Sequence, residues 1–205
     1  MDKQQESKLV VCLGNPGEQY ANSRHNAGWQ TAKRILAKSA NSEVCRFQPT
    51  CGCLYKLESA DGNPFHLLLP MTYMNNSGVA VKETLDILGI APPGMLVICD
   101  CMDLPVGRLR LRSHGSSAGQ RGVESVISEL QTDAFARLRV GIGRPEPGFE
   151  VVDYVLADWV SAESSLVNYM LDAAADCCLK WIDNGFDAAC RMASECSADK
   201  FNAIG

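Results

Sequence analysis

The chain has 205 residues, 46% hydrophobic and 21% charged, with a formal net charge of -5, the proportions of a globular chain able to bury one sizeable core. That acidic balance excludes a protein that coats nucleic acid non-specifically, because such binding rests on a surplus of cations. Residues 1–8 are polar and no apolar run reaches the roughly 18 residues a membrane span needs, so neither signal peptide nor membrane contact is expected and the protein is expected in the cytoplasm.

In chain order, residues 9–13 form a continuous apolar run and predict a buried first strand. A turn at Asn15-Pro16-Gly17 leads to a helix over about 26–40. Residues 54–57 and 65–69 predict strands joined across Asp61-Gly62-Asn63-Pro64. Residues 79–88 have helical apolar spacing and stop at Gly89. A short apolar strand over 95–99 follows, then an amphipathic strand over 108–112, a helix over 122–130, a strand over 137–142 and a mostly continuous helical pattern from 161 to about 193. The alternation predicts an α/β fold: a single domain over 8–202, with a twisted mixed β-sheet covered by helices, after a polar extension at 1–7.

Ten cysteines are scattered through this core-forming sequence. Cys51-Gly52-Cys53, Cys99-Asp100-Cys101 and Cys177-Cys178 lack zinc-knuckle spacing, so buried reduced thiols are expected, with no metal and no cofactor. Charge is uneven: residues 104–144 carry seven arginines against Glu124, Glu129 and Asp133. Arg108, Arg110 and Arg112 alternate with Leu109 and Leu111, which puts three cations on one strand face, a row suited to a phosphate.

Three segments supply chemistry. The first runs from Cys12-Leu13-Gly14-Asn15-Pro16-Gly17-Glu18-Gln19-Tyr20 to Ser23-Arg24-His25-Asn26-Ala27-Gly28; the second is Met71-Thr72-Tyr73-Met74-Asn75-Asn76-Ser77-Gly78; the third is Val97-Ile98-Cys99-Asp100-Cys101-Met102-Asp103. They offer an imidazole able to take a proton near neutral pH, amides for a water or carbonyl, and a carboxylate at a strand end to fix the imidazole tautomer. Taken singly, each is an ordinary turn, cap or surface group. Asn15 and Asp100 both fall where strands end, the edge at which α/β sheets gather ligands.

Jointly, in this order, with Arg137-Leu138-Arg139-Val140-Gly141-Ile142-Gly143-Arg144-Pro145, Asp153-Tyr154-Val155-Leu156 and Phe201-Asn202, the segments resemble the bacterial-type peptidyl-tRNA hydrolase family over roughly 8–202. The resemblance implies an esterase that frees tRNA from a peptide, with His25 as general base toward water and Asp100 orienting it. It implies that Asn15 separates blocked from free aminoacyl groups and that Asn75 contacts substrate near the scissile carbonyl. Tyr20, Tyr73 and Met74 would line the cleft, and Arg110, Arg112 and Arg139 would meet the tRNA 5′ phosphate and acceptor stem. The implied partner is peptidyl-tRNA and the chain is expected to be a monomer.

One departure stands out. The family pattern has His-Asn between two glycines, and this chain reads Gly119-Gln120-Arg121-Gly122. Arginine only donates hydrogen bonds, whereas the missing asparagine would both donate and accept. Either Arg121 enters the cleft as a cation, or it points outward and Gln120 supplies the amide; an active hydrolase with an altered subsite and a weakly active tRNA- or RNA-binding relative both remain open at this point. Gly115-Ser116-Ser117-Ala118-Gly119 also fits a serine-hydrolase elbow, but that family places its histidine after the serine, and His25, His66 and His114 all precede Ser117.

Overall fold

A computed structural model of the chain describes residues 7–45 and 49–203; the polar extension at 1–7, apart from Ser7, lies outside them. The strands are β1 (Lys8–Cys12), β2 (Ala40–Val44), β3 (Gly52–Glu58), β4 (Pro64–Pro70), β5 (Met95–Cys101), β6 (Leu109–Arg112) and β7 (Ala136–Gly141). The helices are α1 (Ala27–Lys38), α2 (Ser77–Leu88), α3 (Arg121–Leu130), α4 (Val151–Leu156), α5 (Ser164–Glu195) and α6 (Ala198–Asn202). One sheet carries all seven strands in the order β2-β3-β4-β1-β5-β7-β6. Strands β4, β1, β5 and β7 run parallel; β3 and β6 pair antiparallel on either side of them, and β2 pairs antiparallel with β3. This is the mixed, helix-covered sheet that the alternation predicts.

Parallel central strands are buried on both faces and so read as unbroken apolar runs. Accordingly β5, Met-Leu-Val-Ile-Cys-Asp-Cys, is buried at all seven positions, Asp100 included. Val10, Ile98, Leu138 and Val140 face a layer in which α1 contributes Ala27, Ala32 and Ile35 and α5 contributes Met170, Leu171, Ala174 and Cys178. Leu9, Val11, Val97 and Cys99 face the opposite layer, with Val81 and Leu85 of α2 and Val123 and Val126 of α3. Among the described residues no helix is long and apolar enough to cross a membrane.

The structure departs from the predicted elements at β2, α4 and α5, and adds the short helix α6. β2, Ala-Asn-Ser-Glu-Val, is an exposed edge strand whose polar sequence hides it. α4 follows a loop rich in proline and glycine and is too short to announce a period. α5 is not continuous: Gly185, at φ 80 and ψ -176, breaks it, a conformation open to glycine and strained for other residues.

Candidate active site

The carboxyl ends of β1 and β5 open into a cleft of about 330 Å³. Residues 18–26 follow β1 through two 3-10 turns, and the second, Arg24–Asn26, presents His25 at the foot of α1. Gly28 lets α1 descend this far. A Cβ there would lie 2.4 Å from Leu13 O and 2.7 Å from Ile98 O, so a side chain would lift the helix from the sheet. With α1 seated, His25 Nδ1 stands 2.9 Å from Asp100 Oδ1, across 75 residues of sequence. A carboxylate only accepts hydrogen bonds, so Nδ1 is the donor and Nε2 keeps its lone pair. Their side chains are 12% and 4% exposed, which removes water that would weaken the pairing.

Asn15 is held from two sides. Its N–H donates to Asn26 Oδ1 at 2.8 Å, and Asn26 Nδ2 donates to Asn15 O at 2.9 Å. Its own Oδ1 accepts the Met74 N–H at 2.8 Å, which leaves the Asn15 amide NH2 as what it offers the cleft. Asn75 is exposed in the 3-10 turn Met74–Asn76 and lines the same cleft, with Tyr20 and Tyr73. Asn26, which the sequence motif contains but whose role spacing does not reveal, is fully buried and ties β1's end to the turn that carries His25.

The exchanged pair at 120 and 121 divides between inside and outside. Gln120 is 8% exposed and caps α3. Its Oε1 accepts the Val123 N–H at 2.7 Å and its Nε2 donates to Asp100 Oδ1 at 3.0 Å. Arg121 is exposed, opens α3 and lines the cleft without a hydrogen bond or ion pair among the described residues. The exchange therefore leaves the imidazole–carboxylate pair intact and adds a cation to the cleft wall.

The arginines fare unequally. Arg110 and Arg112 are exposed on the edge strand β6, outside the cleft, and stand opposite Arg139 and Arg137 on β7. Arg139 reaches the cleft while its Nη2 bonds Ser116 O at 3.0 Å. Arg137, one of the seven arginines between 104 and 144, is fully buried; its guanidinium donates to the carbonyls of Gly115, Ser116 and Asp133. Burial draws its pKa down from the usual guanidinium range. Arg144 pairs with Asp103. Ser117 lies in a loop after β6 rather than on a strand-to-helix elbow. Among the described residues no group of three or more His, Cys, Asp or Glu side chains is placed to hold a metal ion.

A further wall comes from α4, which sequence patterning missed. Val151, Val152, Val155 and Leu156 line the cleft, and the i, i+1, i+4, i+5 spacing of these apolar residues was the available signal. The segment that follows is strapped to the His25 turn through Arg24. Its guanidinium lies 4.8 Å from the Tyr154 ring and 5.1 Å from the Trp159 ring, pairs with Glu163 at 2.8 Å and donates to Asp158 O.

A partly buried imidazole–carboxylate pair, flanked by asparagine amides at the carboxyl edge of a mixed sheet, defines a site suited to activating water. The family model described as peptidyl-tRNA hydrolase matches residues 9–201. A protein of Persephonella marina named peptidyl-tRNA hydrolase is 38% identical over 188 residues, covering 92% of this chain and 97% of its own. One of Desulfitobacterium hafniense with the same name is 41% identical, covering 90% and 98%. A crystal structure of peptidyl-tRNA hydrolase from Acinetobacter baumannii superposes with a TM-score of 0.85 at 31% identity, over 94% of this chain and 97% of that one. The chain belongs to the peptidyl-tRNA hydrolase family.

Proposed function

We propose that the protein hydrolyses the ester between a peptide, or another N-blocked aminoacyl group, and the ribose of a tRNA 3′ end, releasing tRNA for reuse in translation. The observation that carries this reading is the His25–Asp100 pair at 2.9 Å, open to the cleft through His25. His25 Nε2 takes a proton from water as the water oxygen attacks the ester carbonyl; the carbonyl electron pair moves to oxygen and then returns to expel the ribose oxygen, which the imidazolium protonates. Asp100 keeps the imidazole in the right tautomer and stabilises its charged form. An ester's alkoxide leaves more readily than an amine, so water with a positioned base suffices without a covalent intermediate.

Asn15 reads the blocked amino group through its free amide, and Asn75 holds the scissile carbonyl. Tyr20, Tyr73 and Met74 shape the subsite for the acyl-tRNA end. Arg110 and Arg112 on β6 and Arg139 at the cleft mouth share one sheet face, since residues opposed in register do so, and this row carries the acceptor stem and 5′ phosphate. Arg121 adds an unpaired cation to the same path, where Gln120 is taken up by the protein itself. The enzyme works as a cytoplasmic monomer. Cleavage of N-acetylaminoacyl-tRNA, with free aminoacyl-tRNA untouched, is the expected result in a hydrolysis assay; tight tRNA binding with no cleavage of either defeats the reading.

A further inference from the structure

We infer that Gln120 is a positioning residue for this hydrolysis, fixing the Asp100 carboxylate that fixes His25. The inference rests on the reading of His25 and Asp100 as base and orienter. A carboxylate held by a single donor can still swing about its Cβ–Cγ bond. Here Oδ1 of Asp100 receives two donors, His25 Nδ1 at 2.9 Å and Gln120 Nε2 at 3.0 Å.

The orientation of the Gln120 amide is determined at both ends. A backbone N–H can only donate, so the end facing Val123 N at 2.7 Å is oxygen; a carboxylate can only accept, so the end facing Asp100 is nitrogen. The same Nε2 lies 3.2 Å from Met74 Sδ, and Met74's N–H is bonded to Asn15 Oδ1. A buried frame thus runs from Asn15 through Met74, Gln120 and Asp100 to His25, and Gln120 anchors it to the first turn of α3. A neutral amide does this without adding a charge or a second titrating group beside the base. An imidazole, which the family pattern has at this position, would add one.

The other titratable or charged groups facing the pair are Tyr20 and Tyr73 from the loops, Cys99 and Cys101 from β5, Arg139 from β7 and Arg121 from α3. Burial pushes the Cys99 and Cys101 thiols up, so they stay neutral at physiological pH. Gln120→Glu therefore changes one charge at the pair. The new carboxylate still accepts the Val123 N–H but faces Asp100 with no donor, which favours imidazolium over imidazole at His25.

The experiment follows His25 by NMR in the full-length protein labelled at histidine, alongside single-turnover hydrolysis of N-acetylaminoacyl-tRNA, in wild type, Gln120→Glu and Gln120→Met. In Gln120→Glu the His25 titration midpoint and the acidic limb of the rate profile should both move up by about one pH unit, with KM within twofold. In Gln120→Met, which keeps length and removes the donor without adding charge, kcat should fall about tenfold at unchanged KM, the equivalent of ~1.4 kcal/mol. A folded Gln120→Glu with the wild-type titration midpoint, or a Gln120→Met with wild-type kcat, overturns the inference. Should the wild type cleave nothing while the midpoint still moves, the hydrolase reading falls and the coupling of Gln120 to His25 stands.

Discussion

Asn26 bonds the backbone of Asn15 at both of its polar groups, accepting from its N–H at 2.8 Å and donating to its carbonyl at 2.9 Å. One fully buried side chain thereby does what a strand partner would do past the end of β1, and it does so from the residue beside His25. The end of the first strand and the turn bearing the proposed base are a single rigid unit.

Asn26→Ala should leave both groups of Asn15 buried without partners, at about 1–3 kcal/mol each. Asn26→Asp keeps the acceptor and should lose less. Urea unfolding checks the order, and hydrolysis should fall in the same order because Asn15 then loses its register against Met74. Equal stability of the two variants and the wild type would remove Asn26 from this role.

Gly28→Ala sets a Cβ against two strand carbonyls, Leu13 O and Ile98 O, at 2.4 and 2.7 Å. Backbone cannot swing aside as a flexible side chain would, so the cost should be about 1–3 kcal/mol, the usual range for overpacking. Lifting α1 also carries His25 away from Asp100, so turnover should fall further than stability alone explains. Thermal unfolding and single-turnover rates on the same preparation test both halves.

How far the sequence revealed this arrangement follows from what each residue type can signal. β1 and β5 were legible because strands buried on both faces must be apolar throughout, and β6 because its leucines and arginines alternate. β2 was not, since an edge strand facing water needs no apolar residue. The Gly185 break was hidden because a single glycine leaves the surrounding helical period intact. His25 and Asp100 were named from their motifs, but their meeting depends on two strands lying side by side, and Asn26 and Gln120 act through hydrogen bonds that no spacing encodes. Charge also misled: Arg137 looks like its neighbours in sequence and is fully buried in the fold.

Arg110→Ala with Arg112→Ala should weaken tRNA binding and flatten its dependence on salt, by up to about two units in the logarithmic slope, because fewer counterions are released. Both side chains are exposed on β6, so folding should be unaffected. Cleavage of a short acyl-nucleotide lacking the acceptor stem should be unchanged. Salt titrations of tRNA affinity decide the matter, and an unaltered slope would make these arginines mere solvated surface.

Six cysteines, at 12, 99, 101, 177, 178 and 196, are buried, and four, at 45, 51, 53 and 190, are partly exposed. Burial raises the Cys177 thiol to about 12 and the Cys196 thiol to about 11. Since the thiolate is the reactive form, native alkylation near neutral pH should reach only the partly exposed four, with the rest labelled after unfolding. The sign for stability follows from linkage. A thiol whose pKa is raised by folding holds its proton where the unfolded chain releases it, so stability should decline as pH climbs through 9 toward about 12. Mass spectrometry of labelled protein and denaturation at pH 7 and above 9 provide the checks.

The proposed role of His25 is tested most directly by His25→Ala, measured for single-turnover hydrolysis of N-acetylaminoacyl-tRNA and for tRNA affinity. A general base contributes typically about 10²- to 10⁴-fold, so cleavage should drop by that factor. Affinity should change by less than about tenfold, ~1.4 kcal/mol, because His25 lies inside the cleft and the proposed tRNA contacts lie on the arginine row. Near-normal cleavage by His25→Ala would contradict the assignment of the imidazole as the base that activates water.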